Sequence, residues 1–123
     1  MKRLFLIAMT LLLLSACGNK DKSTLPPGLL TEQEMIDVMT NVQIIEADIN
    51  QQKAKEHESG TPPKDYIKIT RSYYQQLFEH YDINDSIFTQ SIRYYTEQPD
   101  VLERIMDSVM QRLVKEQSTS STQ

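Results

Sequence analysis

The sequence predicts an all-α fold, a small bundle of about four helices that follows a short apolar N-terminal segment. Three observations carry that expectation. Apolar residues recur at three- and four-residue steps over four stretches, beginning near Met35, Ile67, Phe88 and Leu102, as one face of an α-helix requires. Start signals stand at the heads of these stretches: Thr31 with Glu34, Asn84 with Asp85, and Pro99. Breakers separate them, above all Gly60 with Pro62-Pro63.

The N-terminus comes first. Lys2 and Arg3 precede an apolar run from Leu4 to Leu14, only 11 residues, where a bilayer core needs about 20. The run therefore reads as a signal peptide. Leu14-Ser15-Ala16-Cys17 closes it and resembles a lipobox, in which the cysteine thiol takes a diacylglyceryl group and becomes the new N-terminus. Residues 1–16 are expected to be removed and Cys17 to be lipidated, with palmitate-type chains holding it to the lipid bilayer. At about 0.8 kcal/mol per buried methylene, several acyl chains make a stable anchor.

Removal of residues 1–16 from the 123 leaves 107, a length that fits one domain with a modest core. It also takes Lys+Arg from 13 to 11 against 17 acids, so the formal charge falls from −4 to −6. An acidic domain of this kind is not expected to bind nucleic acid. Cys17 is the only cysteine, so no intramolecular disulfide can form and packing alone must hold the fold.

Residues 17–30 run through Gly18, Asn19, Lys20, Asp21 and Lys22 to Pro26-Pro27-Gly28, a polar tract rich in helix breakers. They are expected to be a flexible tether that keeps the domain, residues 31–116, close to the membrane. Helix one is expected over 31–55. Thr31 is its N-cap, Glu34 the capping-box partner, and Leu30 with Met35 the hydrophobic staple. Met35, Val38, Met39, Val42, Ile45 and Ile49 form its core stripe. Ile36 and Ile44 fall outside that stripe, marking either a wider core face or an exposed apolar strip.

Helix two is expected over 65–81, where Ile67, Thr70, Tyr74, Leu77 and Tyr81 share a face flanked by Tyr66, Tyr73 and Phe78. Such rings serve more often as core, with hydroxyls at the rim, than as a binding face. Helix three, over 85–97, places Phe88, Ser91, Ile92 and Tyr95 together, with Ser91 bonding back to its own helix and Tyr94 pointing elsewhere. Helix four, over 99–116, opens with either Pro99 at its first position or an Asp100/Glu103 capping box, and carries Leu102, Ile105, Met106, Val109 and Leu113. The four helices are expected to pack antiparallel through short turns. Residues 117–123, all Ser, Thr or Gln, are expected to be a disordered tail.

Pro27, Leu29-Leu30, Met35, Leu77-Phe78-Glu79-His80-Tyr81, Ile83, Phe88, Ser91, Tyr94-Tyr95, Pro99, Ile105, Asp107 and Val109 together carry a resemblance. The chain is similar, from about Pro27 to Leu113, to small helical Bacteroidota lipoproteins that share a domain of unknown function, the family numbered 4296. Ser-x-x-Tyr-Tyr-x-x-x-Pro is the most specific element. Members often carry glycine where this chain has Asp82, in the turn between helices two and three. The resemblance implies helical character and an envelope location, and no catalytic residues. Lys20-Asp21-Lys22 lacks the acidic tract that resembles a surface-export signal in such lipoproteins, so an outer-membrane position facing the periplasm is expected.

His57 and His80 are the only histidines, so no zinc motif can be assembled, and no metal site or cofactor is expected. Asp82-Ile83-Asn84-Asp85 imitates the start of an EF-hand, yet Ile87 stands where the loop needs glycine and Arg93 where it needs glutamate. Glu79, His80, Asp82 and Asp85 cluster in sequence, which fits a solvated turn better than a general base. No phosphate loop or nucleophile elbow is present. The expected function is non-catalytic: a lipoprotein module that contacts an envelope protein partner, with Ile36, Ile44, Tyr66 and Tyr94 as candidate contact residues. The alternative is a small-ligand-binding lipoprotein that uses a tyrosine-rich pocket.

Overall fold

The computed structural model describes residues 24–120, so the signal segment, Cys17 and the first part of the expected tether lie outside the described residues. Four helices follow one another: α1 over Glu32–Ser59, α2 over Tyr66–His80, α3 over Asp85–Thr96 and α4 over Pro99–Ser120. Among the described residues there is no strand.

Local capping chemistry fixes the helix starts. The Thr31 hydroxyl accepts from the Glu34 N–H, and the Glu34 carboxylate accepts in return from the Thr31 N–H at 2.8 Å, a complete capping box. That bond to the Thr31 backbone, with a second to its hydroxyl, holds Glu34 below its ordinary value. Asn84 caps α3 by accepting from the Ile87 N–H. For α4 the carbonyl of Gln98 accepts from both Val101 and Leu102, so Pro99 occupies the first helical position, where its missing N–H costs nothing. Gly60 ends α1 in the left-handed conformation, one turn later than the sequence suggests.

α1 is the central helix. Val38, Val42 and Ile49 are buried on one side, and Ile36 and Thr40 on nearly the opposite side, since each residue turns the helix by about 100°. The buried Thr40 hydroxyl satisfies itself by donating to the Ile36 carbonyl. α2 runs antiparallel along the first side, where Tyr74 meets Glu46 and Tyr81 meets Asn41. α4 lies along the other, where Arg104 pairs with Glu32 at 3.1 Å and Arg112 pairs with Asp37. Residue numbers rise together in those two pairs, so α4 is parallel to α1. The expected all-antiparallel packing is therefore corrected: α3 continues the descent of α2 towards the base of α1, and α4 then climbs beside α1 again.

The N-terminal boundary also shifts. Leu30 is buried in the core and Leu25 packs against it, so the stretch from Leu25 onward is part of the domain rather than of the tether. At the other end α4 continues through residues 117–120, where a disordered tail is expected. There Ser118, Thr119 and Ser120 donate their hydroxyls to the carbonyls of Lys115 and Glu116, bonding back onto the preceding turn of their own helix. Ile92 and Met106, placed with the core stripes by spacing, stay more than a third exposed because α3 and α4 each have only part of a neighbour there.

The turn from α2 to α3 puts Asp82 at φ 52°, a positive value among residues that are not glycine. An L-residue there carries roughly 1–2 kcal/mol of strain, less for aspartate than for most. It is the position at which the family resemblance implies glycine. Asp82→Gly is expected to leave the midpoint of urea unfolding unchanged or raise stability by up to about 1 kcal/mol, the entropy of the freer unfolded chain offsetting part of the relief. A loss of more than half a kcal/mol would mean that the aspartate side chain has a role at this turn.

Candidate functional site

Tyr66 and Tyr74 of α2 line an open surface cavity, and Tyr81, the residue that caps the end of α2, continues their row. Tyr66, Tyr74 and Tyr81 recur at spacings of eight and seven residues, so they line one side of the helix and reach three successive levels of α1. The Tyr74 hydroxyl donates to Glu46 at 2.8 Å, and the Tyr81 hydroxyl accepts from the Asn41 amide at 2.9 Å. The Tyr66 hydroxyl is buried against Glu56. Burial, then the carboxylate beside each, pushes Tyr66 and Tyr74 up to about 12. Such phenols neither release a proton near neutrality nor act as nucleophiles. Glu56 is held below the usual carboxylate range first by the Tyr66 hydroxyl, against burial, with help from Lys64, whose ammonium lies 3.1 Å away.

Outside this ladder α2 forms the floor of an open groove. One cavity of about 460 Å³ is lined by Lys53, Tyr66, Ile67, Arg71 and Tyr74 among others. A second, of about 370 Å³, adjoins it and extends to Glu79, Ile83 and Asn84. Tyr74 stands edge-on to Phe78 at 5.9 Å, and Phe78 lies 5.3 Å from Phe88, so the aromatic floor is continuous with the core. The Lys53 ammonium sits 5.1 Å from the centre of the Tyr66 ring, a cation–π contact at one end. Ile67, placed in the core stripe by spacing, is 75% exposed on this groove.

The four candidate contact residues do not form one surface. Ile36 is buried against α4, at the edge of a cavity it lines with Gln33, Ser108 and Arg112. Ile44 is 42% exposed on α1. Tyr66 stands beside Lys53 and Glu56 near the end of α1, whereas Tyr94 borders Thr31 and Glu32 at its start. Twenty-one residues of helix separate Glu32 from Lys53, roughly 30 Å at the α-helical rise. Tyr94 and Tyr95 meet edge to face at 5.2 Å, so they offer no pair of parallel stacking platforms.

Sequence reasoning finds Tyr66 but misses Ile67, Arg71, Lys53 and Ile83. A usable signal exists for Ile67: two adjacent large apolar residues on a helix stand about 100° apart, so Tyr66 and Ile67 cannot both face α1 squarely. A second apolar strip, Met106, Met110 and Val114 at steps of four, runs along the outer side of α4.

The turn chemistry is also placed. His80 sits in the last turn of α2 with its ring edge-on to Tyr81 at 5.0 Å. Glu79 accepts instead from Gln75. Residues 85–93 are helical, so a twelve-residue calcium loop beginning at Asp82 does not exist in this geometry. Among the described residues no three His, Cys, Asp or Glu side chains are grouped to hold a metal ion, and no helix is long and apolar enough to cross a membrane.

Comparison with known proteins gives one match. No curated protein and no solved structure matches the chain. A family model described as a domain of unknown function matches residues 26–119, from the turn before Leu30 to the last turn of α4. That span takes in all four helices and most of the chain, and on this ground the chain belongs to the DUF4296 family.

Proposed function

We propose that the chain is a lipid-anchored protein of the bacterial cell envelope whose domain is a non-catalytic interaction module for another envelope protein, at the outer membrane and facing the periplasm. The anchor rests on Leu14-Ser15-Ala16-Cys17 after its 11-residue apolar run. The observation that carries the interaction reading is the state of the tyrosine face. The Tyr74 and Tyr81 hydroxyls are engaged with α1 while the groove beside them lies open, and Ile67, Met110 and Val114 are each more than half exposed. A small ligand needs enclosure to bury most of its surface, whereas a protein partner needs open apolar surface with a polar rim. The tyrosines also lack the acidity that catalysis would use.

The anchor has a direct test. Cys17→Ser is expected to move the protein from the membrane fraction to the aqueous fraction, or to leave it as an uncleaved precursor, with no acyl chain in mass spectra. Acylated protein from that variant would end the anchor reading. The interaction reading is tested by crosslinking in the native cell, repeated with Ile67→Lys and with Met110→Lys. One specific protein should be recovered and lost in at least one variant. Recovery of no specific protein, with a small molecule co-purifying instead, would favour a small apolar ligand in the α2 groove.

A further inference from the structure

The groove along α2 has a direction. Its two cavities share Arg71, Tyr74, Phe78 and Asp85, which makes them one trough, yet Lys53 lines only the first and Glu79 only the second. One end therefore carries a cation and the other an anion, while Arg71 and Asp85, an opposite pair of charges, line the stretch between them. The trough follows the 15 residues of α2, about 22 Å of helix, and its floor is apolar and aromatic. That length matches four turns of a second helix laid alongside.

A helix carries partial positive charge at its N-terminus and partial negative charge at its C-terminus. Resting on the interaction reading above, we infer that the trough docks an amphipathic helix of the partner protein, antiparallel to α2. The N-terminal end of that helix lies at Glu79, and its C-terminal end at Lys53. Two cues agree on this orientation: the side-chain charges of the trough, and the dipole of α2, whose positive end stands at Tyr66. The docked helix places apolar residues at steps of three and four against Tyr74 and Phe78, covers Ile67, and sets a carboxylate opposite Arg71.

The test uses the full anchored chain in its native cell. A photo-crosslinking benzoylphenylalanine replaces Ile67 in one strain, Gln75 in a second and Met110 in a third, and the adducts are sequenced by mass spectrometry. Positions 67 and 75 should capture the same amphipathic helix of one protein, with 67 joined about eight residues nearer its C-terminus than 75. Arg71 is exposed, so Arg71→Glu keeps the packing; it should lower both yields at least tenfold, while Arg71→Lys keeps most of the yield. A reversed order of the two crosslinks, a captured segment that is not an amphipathic helix, or yields indifferent to Arg71→Glu would overturn the inference. Adducts from position 110 alone would overturn the trough and leave the interaction reading standing. No protein adduct from any of the three positions would overturn both.

Discussion

Ile105→Ala is expected to destabilise the domain by about 3–4 kcal/mol, the upper part of the range for truncating a sealed aliphatic side chain. Ile105 has no exposed surface, and with Val109 it is one of two fully buried residues on α4. α4 rests on α1 and α3 and leaves α2 on the far side of α1, so it has few other apolar contacts with which to close a cavity. A domain of this size has a total stability at the low end of roughly 5–15 kcal/mol. The loss therefore consumes most of the margin.

In urea, with a slope of about 1 kcal/mol/M, the midpoint should fall by roughly 3 M while the slope stays constant. Met110, one turn further along and 58% exposed, supplies the control: Met110→Ala should shift stability by less than about half a kcal/mol. A cost below 1 kcal/mol for Ile105→Ala would mean that α4 does not close the core as described. Leu77→Ala tests the opposite side of α1, where the expected cost is about 2–4 kcal/mol.

How much of this was legible follows from the range of each interaction. Caps are local, so the starts at Thr31 and Asn84 could be read from three or four neighbouring residues, whereas the last helix left two caps open and the structure selects Pro99 at the first position. The helical class followed from the spacing alone. The arrangement of the helices did not. A single apolar stripe implies one neighbour, and α1 has neighbours on two sides. Ile36 therefore fell outside the expected stripe, although it is buried with Thr40 on the side that faces α4. Parallel packing of α1 and α4 depends on α3 continuing downward from the Asp82 turn, a geometry set by backbone angles that no residue type announces. For the candidate site, Tyr66 was legible as a surface aromatic. The trough was not, because Lys53, Arg71 and Glu79 acquire a common surface only once α2 lies on α1.

The least legible contact is the one that closes the base of the domain. Ser91 and Tyr95, four residues apart on one face of α3, take both backbone groups of Leu30, 61 and 65 residues earlier in the chain. The Leu30 N–H donates to the Ser91 hydroxyl at 3.0 Å, and the Tyr95 hydroxyl donates to the Leu30 carbonyl at 2.7 Å. Spacing alone gave Ser91 a bond to its own helix, and that bond is present, to Ile87 at 2.7 Å. The Ile87 carbonyl keeps its helical partner when the hydroxyl is removed, so the cost of Ser91→Ala falls on Leu30.

Each of Ser91→Ala and Tyr95→Phe strands one buried backbone group and is expected to cost about 1–3 kcal/mol. The double variant should cost less than the sum, because release of Leu30 by the first change lets water reach the group that the second would strand. Amide hydrogen exchange separates this from a packing defect: in Ser91→Ala the Leu30 amide should lose protection while Val109 keeps its own until global unfolding. Equal protection of Leu30 in both proteins, or strictly additive costs, would show that α3 does not hold the incoming segment. With Pro99 opening α4 and Tyr95 and Ser91 gripping Leu30, the element Ser-x-x-Tyr-Tyr-x-x-x-Pro acts as a clasp. It fixes where the chain that leads from Cys17 joins the domain, and so fixes which end of the bundle a lipid anchor would hold nearest the membrane.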